Sequence, residues 1–162
     1  MKVQDIMTRT VRTCGRSTNL AEAAMIMWHN DCGVVPVVEP DGRAVGVITD
    51  RDICMATATR PLKAAEITAG DVMTGALFTC RPEEAVKKAL QTMAHHRVRR
   101  LVVVDANGRL AGIVSMDDFA IHAGKDLPAK AIVDTLRSIC SRKKPGTHGT
   151  EPSPDPFSDA WF

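Results

Sequence analysis

The chain has 162 residues, of which 44% are hydrophobic and 25% charged, and its formal net charge is +2 at pH 7. This length suits one compact domain whose core buries about 70% of the unfolded surface. The small charge gives no general attraction to nucleic acid or membrane. No apolar run approaches the roughly 20 residues that span a bilayer. Because residues 1–5 show no secretory signal, we expect a cytoplasmic protein with no membrane partner.

A first unit of predicted elements occupies residues 3–58. Residues 10–14 alternate polar and apolar as a short strand does, and apolar residues at helical spacing follow from Leu20 to about Asn30. Two strands, Val34–Val38 and Ala44–Thr49, flank a Pro- and Gly-containing turn and predict a hairpin. A second helix begins at Asp50 and extends to about residue 57. Trp28 is expected to be a packing residue on the inward face of the first helix, because Trp is mostly buried.

The same plan returns in residues 71–124, after a linker at 59–70. The predicted elements are a strand at 77–80, a helix that Pro82-Glu83-Glu84 starts, a hairpin of strands 101–104 and Leu110–Ser115 around Asn107-Gly108, and a helix from Asp117. A further helix at 126–140, with Pro128 in its first turn, lies outside the repeat. Residues 141–162, rich in Pro and Gly, are predicted to be a disordered tail.

The two units are a duplication at a spacing of 66 residues. Of the 48 residues from Asp5 to Asp52, 14 are identical to their counterparts, where average composition would give about three. The duplicated segment ends in one motif: Gly46-Val47-Ile48-Thr49-Asp50-Arg51-Asp52 returns as Gly112-Ile113-Val114-Ser115-Met116-Asp117-Asp118. We expect the chain to function through both copies.

The motif combines three chemical groups at the junction of a strand and a helix. Glycine permits close approach of a ligand to the backbone. The hydroxyl of Thr49 or Ser115 can cap the helix or face an anion. The carboxylate of Asp52 or Asp118, three residues later, can accept hydrogen bonds from the two hydroxyls of a ribose. A capping hydroxyl with a carboxylate that complements the helix dipole explains the same residues, and the duplication does not remove that alternative.

This repeat resembles the CBS domain, named for cystathionine β-synthase, in its usual tandem pair. The resemblance rests on Asp5-Ile6-Met7-Thr8 and Asp71-Val72-Met73-Thr74, on the run from His96 to Asp105, and on the closing motif; it extends over residues 3–123. It implies an α/β (α+β) fold of two β-α-β-β-α units packed as a pseudo-twofold pair, in a small stand-alone protein of bacterial type.

The resemblance also implies two clefts for an adenosine ligand: AMP, ADP, ATP or S-adenosylmethionine. Thr49 and Ser115 would face phosphate, Asp52 and Asp118 would face ribose, and Arg99 and Arg100 would face phosphates. Near the base it places the backbone of Val35, Pro36, Val102 and Val103, together with the strands of Thr13, Cys14, Thr79 and Cys80. Gly46 and Gly112 are also expected to contact the ligand. The counterparts of Arg99 and Arg100 are Gly33 and Val34, so we expect the two clefts to differ.

Two functions remain open: a regulatory sensor of adenine nucleotides, and a structural interaction protein with empty or vestigial clefts. For either we expect a homodimer joined through helical faces, and an effector protein that the sequence does not identify. The apolar positions suggested for that contact are Leu20, Ala24, Met27, Val86, Leu90 and Met93. The sequence contains no recognisable nucleophile–base pair or metal-ligand set, so we expect neither catalysis, nor a metal site, nor a required cofactor. Without a wider basic surface, a nucleic-acid partner is disfavoured.

Overall fold

The computed structural model describes residues 1–124 and 126–141. Apart from Ser141, the predicted disordered tail lies outside the described residues. The helices are α1 (Leu20–His29), α2 (Asp50–Thr59), α3 (Ala69–Val72), α4 (Val86–His96), α5 (Met116–Ile121) and α6 (Ala129–Cys140), with short 3-10 helices at Val3–Asp5 and Ala64–Glu66. The strands are β1 (Val34–Val38), β2 (Ala44–Thr49), β3 (Thr79–Cys80), β4 (Arg100–Val104) and β5 (Leu110–Ser115).

Each unit is built on one of the predicted hairpins. Strands β1 and β2 pair antiparallel, as do β4 and β5. The strand expected at residues 10–14 is reduced to one parallel bridge from Cys14 to Val37. Its counterpart, β3, is two residues long and pairs in parallel with β4. The expected fold of two β-α-β-β-α units is confirmed, with a shorter first strand in each unit than the alternation predicted.

Helix α4 begins at Val86, so the prediction that Pro82-Glu83-Glu84 starts it is wrong. These residues lie in a turn whose carbonyls are already engaged. Gln4 N donates to Pro82 O, and Val3 N donates to Glu84 O, each at 2.9 Å. The N-terminal segment holds this turn in place, and the helix starts only beyond it.

The contacts between the two units come in pairs. In each pair, the residues of one contact are the repeat counterparts, 66 residues apart, of the residues of the other. The paired backbone bridges are Thr8 with Ile113 and Val47 with Thr74, and Lys2 with Ala85 and Asn19 with Thr68. Arg43 pairs with its own counterpart, Arg109, so the axis passes between these two residues. The expected pseudo-twofold arrangement is therefore confirmed by individual hydrogen-bonded contacts.

The opening segment of each unit packs on the other unit. Val3 N donates to Glu84 O at 2.9 Å, and its counterpart Ala69 N donates to Thr18 O at 2.7 Å. Val3 is fully buried in the core of unit 2, and Ile67 and Ala69 are buried in the core of unit 1. The end of the predicted linker at 59–70 is thus a core element of unit 1, and the exchange ties the two units into one body.

The helical face of unit 2 carries an additional layer. Helix α6 packs against α4 and α5, and Leu127 and Ile132 are buried there with Phe119. The helix predicted at 126–140 therefore covers a core, although it starts at Ala129, one residue after Pro128. No helix in the described residues is long and apolar enough to cross a membrane.

Unit 1 presents a different helical surface. Trp28 is 81% exposed, and Met25 and Met55 are about half exposed, so the expectation that Trp28 packs inward is wrong. The helix turns its smaller Ala23 and its Met27 toward the core instead. Of the residues suggested for a dimer contact, five are buried within the units themselves: Leu20, Met27, Val86, Leu90 and Met93.

Candidate functional site

Both copies of the motif form the same reciprocal cap at a helix start. Thr49 N and Oγ1 donate to Asp52 Oδ2 at 2.8 and 2.7 Å, and Asp52 N donates back to Thr49 Oγ1 at 3.2 Å. In the second copy, Ser115 N and Oγ donate to Asp118 Oδ2 at 2.7 and 2.8 Å. The capping alternative is thus realised. Among the described residues, Oδ1 of each carboxylate accepts no hydrogen bond, which leaves it as an acceptor for a ligand hydroxyl.

Each cap lies beside a cleft that both units line. The first, here called the threonine cleft, has a volume of about 240 Å³ and contains Thr49. Its walls are largely apolar and include Val47, Phe78, Val102 and Ile113. Phe78 stacks on His96 with ring centroids 4.3 Å apart. Asp52 is not among the lining residues and is connected to the cleft through its hydrogen bonds with Thr49.

The second, here called the serine cleft, has a volume of about 400 Å³ and contains Ser115 and Asp118. The opposite wall comes from unit 1, from Thr8 and from residues 10–12 and 30–34. Its charged lining residues are Arg12, Arg100, Asp31, Asp117 and Asp118. Each motif therefore faces strands and loops of the other unit, because the pseudo-twofold axis passes between the two clefts.

Arg99 and Arg100 follow different courses. Arg100 lines both clefts, since it stands at the start of β4, opposite Ser115 in the register. Arg99 borders the threonine cleft, but its Nη2 lies 3.8 Å from Cys140 Sγ at the end of α6. Of the two, Arg100 is the one placed to serve either cleft.

The two motif glycines accommodate the protein's own chain. A Cβ atom on Gly112 would lie 2.5 Å from Thr8 O, and one on Gly46 would lie 2.8 Å from Met73 Sδ and 3.2 Å from Thr74 O. The sequence predicted that these glycines let a ligand approach. The structure gives this space to the exchanged opening segments, so both glycines act in unit–unit packing.

Several residues expected near the base are enclosed in the cores. Val35 and Val103 are fully buried, Pro36 is also buried, and Cys14 and Cys80 are 5% and 3% exposed. Burial raises the pKa of Cys14, and burial with nearby Glu84 raises the pKa of Cys80 to about 12. Both thiols are therefore inert packing groups at neutral pH.

Among the remaining residues expected near the base, Val102 lines the threonine cleft, whereas Thr13 and Thr79 are not among the lining residues of either cleft.

Four residues that give the clefts their character were not predicted from the sequence: Arg12, Asp31 and Asp117 in the serine cleft, and Phe78 in the threonine cleft. The signal was present in the alignment of the repeats. Arg12 and Phe78 are counterparts at the spacing of 66, and Asp31 and Asp117 have Arg97 and Arg51 as counterparts. Only the paired arrangement shows that these positions line clefts.

The comparisons with known proteins agree with this geometry. The sequence profile of the CBS domain matches residues 3–58 and 69–124. The Hypoxic response protein 1 of Mycobacterium tuberculosis is 34% identical over 138 residues, which cover 85% of this chain and 93% of that protein.

Solved structures with the same architecture include the CBS domain pair of protein MJ0100 in complex with 5'-methylthioadenosine and S-adenosyl-L-methionine. It has a TM-score of 0.68 and 28% identity, and the match covers 75% of this chain and 94% of that one. The CBS domain protein PAE2072 from Pyrobaculum aerophilum, complexed with AMP, has a TM-score of 0.70 and 25% identity, over 85% and 99% of the two chains.

A third structure is Hypoxic Response Protein I with two coordinated zinc ions, with a TM-score of 0.69 and 31% identity, over 76% of this chain and all of that one. The described residues of the present chain bring no three His, Cys, Asp or Glu side chains together in a metal-binding group. They therefore do not fit a zinc centre of the four-ligand structural kind.

Proposed function

The chain belongs to the CBS domain family, as a tandem pair of such domains, and we propose that it is a regulatory module that binds an adenosine ligand in its central clefts. The observation that carries the proposal is the conjunction in each cleft of a capped helix start with a lining from the opposite unit. The N-terminus of the ten-residue helix α2 favours a phosphate or another anion, and the free carboxylate oxygen of each cap suits a ribose hydroxyl. Family members crystallised with AMP, or with 5'-methylthioadenosine and S-adenosyl-L-methionine, support the same ligand class.

Regulation through such a site follows from its position between the units. A ligand in either cleft contacts both units at once, so binding stabilises one relative placement of the two, by as much as its affinity differs between placements. An effector protein that contacts both units can detect that change. No catalytic step is assigned to the clefts, because the motif carboxylates are engaged as helix caps. The cytoplasmic location expected from the sequence stays a prediction.

We place the homodimer contact on the helical face of unit 1, the surface formed by Met25, Trp28, Cys54 and Met55. By the pseudo-twofold relation, α1 and α2 of this face correspond to α4 and α5 of unit 2, against which α6 packs. A groove of about 510 Å³ runs between α1 and α2 there, with Met27 and Ile53 in its lining. A largely exposed Trp and two half-exposed Met side chains on α1 and α2 are the residue types that a second copy of the chain buries well.

Titration calorimetry with AMP, ATP, adenosine and S-adenosylmethionine tests the ligand proposal. Asp52→Ala and Asp118→Ala are a matched pair of variants. Loss of a charge-assisted hydrogen bond costs about 1.5–3 kcal/mol, so each variant is expected to weaken its own cleft by about 10- to 150-fold and leave the other unchanged. If the wild type binds no adenosine ligand below millimolar, the interaction-protein alternative replaces this proposal.

Sedimentation velocity tests the dimer separately. Wild type is expected to dimerise at micromolar concentration, and Trp28→Glu to be monomeric, because a carboxylate would be buried at the contact. Ile121→Glu is the control, since this residue is 78% exposed but lies on unit 2. A monomeric wild type, or a dimer that Trp28→Glu leaves intact, would contradict this placement of the contact.

A further inference from the structure

The two clefts carry charges of opposite sign. The serine cleft is lined by Arg12 and Arg100 against Asp31, Asp117 and Asp118, a formal net charge of −1. Among the described residues, the threonine cleft is lined by Arg99 and Arg100 and by no carboxylate. Its formal net charge is +2, or +1 if Asp52, which is hydrogen-bonded to Thr49, is included. Arg100 is common to both, so the difference comes from the residues that the clefts do not share.

These differences lie at counterpart positions of the repeat. Asp31 stands where unit 2 has Arg97, and Asp117 stands where unit 1 has Arg51. Each substitution replaces a cation by a carboxylate, and both carboxylates line the serine cleft. Within the described residues, neither Asp31 nor Asp117 takes part in a salt bridge, so their charges act on whatever occupies the cleft.

The threonine cleft has the complementary character. Phe78 replaces Arg12 at the counterpart position, and its ring is held by the stack on His96. Apolar walls suit a base, and Arg100 supplies a guanidinium at the strand start. Guanidinium groups bind phosphate through paired hydrogen bonds. This cleft therefore offers apolar walls for a base and a guanidinium for a phosphate.

Resting on the proposed function, we infer that the two clefts select adenosine ligands of opposite charge. The threonine cleft takes a 5'-phosphate of adenosine. The serine cleft takes an adenosine derivative without phosphate that carries a net positive charge on its 5' substituent, of which a sulfonium is the example present among the family's crystal complexes. One chain then holds two different ligands at once and reports on both.

Calorimetry with AMP, S-adenosylmethionine and the uncharged analogue 5'-methylthioadenosine tests the inference. The wild type is expected to bind one AMP per chain, and one S-adenosylmethionine when saturated with AMP. Asp52→Ala is expected to weaken only AMP, and Asp118→Ala only S-adenosylmethionine, which assigns each ligand to its cleft. Circular dichroism melts confirm that both variants are folded.

Asp117→Asn tests the role of charge. It is expected to weaken S-adenosylmethionine by about threefold to tenfold and to leave both AMP and 5'-methylthioadenosine unchanged. Arg51→Gln, the counterpart position outside both cleft linings, is the matched control and is expected to change none of the three. Arg100→Gln is expected to have opposite effects, weakening AMP and strengthening S-adenosylmethionine, because its cation faces both clefts.

Three results would overturn the inference while leaving the proposed function standing: two AMP molecules bound per chain with equal affinity, competition of AMP and S-adenosylmethionine for one site, or an Asp117→Asn variant that binds S-adenosylmethionine as the wild type does. Absence of binding by every adenosine ligand would instead overturn the proposed function itself, and this inference with it.

Discussion

Unit 1 and unit 2 arise from one duplicated sequence and share their hairpins and helix caps, yet their outer surfaces differ. In unit 2, α6 lies over α4 and α5, and Ile132 is buried there. In unit 1 the counterpart surface exposes Trp28, while its counterpart in unit 2 is Ala94. The duplication reproduces the interior of a unit, whereas a single added helix makes the outer helical face of unit 2 different from that of unit 1.

The largest loss of stability is expected from removal of a core side chain in α6, the helix that unit 1 lacks. Ile132→Ala should lower the free energy of unfolding by about 2–5 kcal/mol, since Ile132 is 5% exposed and its loss leaves a cavity. Urea denaturation followed by circular dichroism measures this. Val133→Ala, at a residue 44% exposed, is the control and should stay within about 0.5 kcal/mol. Equal effects of the two variants would show that α6 is not part of the folded core.

A second comparison concerns the two motif glycines. Gly112→Ala should destabilise by about 1–3 kcal/mol, the usual cost of overpacking, because the new Cβ would lie 2.5 Å from the backbone oxygen of Thr8. Gly46→Ala should cost less, since the nearest atom there is the flexible Met73 Sδ at 2.8 Å. Urea denaturation of both variants ranks them. A larger loss for Gly46→Ala would contradict the closer packing of the opening segment at Gly112 than at Gly46.

The helix caps are expected to be nearly equivalent. Thr49→Ala and Ser115→Ala each remove the acceptor for a backbone N–H, and each should cost about 1 kcal/mol. Thermal melts without added nucleotide measure both. Thr49→Ser retains the hydroxyl and should therefore lose much less stability than Thr49→Ala. A cost in only one unit would show that the matching bond lengths conceal unequal caps.

The smallest effect at neutral pH is expected for the counterpart thiols of Cys14 and Cys80. Their pKa values are raised by burial, that of Cys80 to about 12, so iodoacetamide at pH 8 should modify the exposed Cys54 and Cys140 long before either of them. Peptide mapping by mass spectrometry gives the order, and in guanidinium chloride all five cysteines should react.

The sign of the thiol linkage follows from the same shift. Because the pKa of Cys80 in the folded protein lies above the ordinary thiol value of 9.0, its contribution to stability is complete below about pH 9 and is lost as the pH rises toward 12. Subtracting the stability curve of Cys80→Ser from that of the wild type, between pH 7 and 11, isolates this contribution. A difference that is constant with pH would contradict the assigned shift.

The features that the sequence determined by itself are local or repeated. The motif caps join residues three apart, so Thr49 and Asp52 meet whenever the strand passes into the helix. The hairpin strands are short apolar runs beside turn residues, and the spacing of 66 set the two units in correspondence. The resemblance to the CBS domain supplied the pairing of the units and the presence of two clefts.

Other features depended on contacts between distant segments, which only the tertiary structure decided. Gly112 meets Thr8 across more than 100 residues, so the glycine that suggested a ligand contact in the sequence proved to be a packing contact. The exposure of Trp28 could not be predicted from the sequence, because the apolar character of a helical residue does not show which side of the helix packs on the sheet. Arg12, Asp31 and Asp117 acquire a common role only when two units face each other, because charges separated along the chain share an electrostatic field once folding brings them around one cavity.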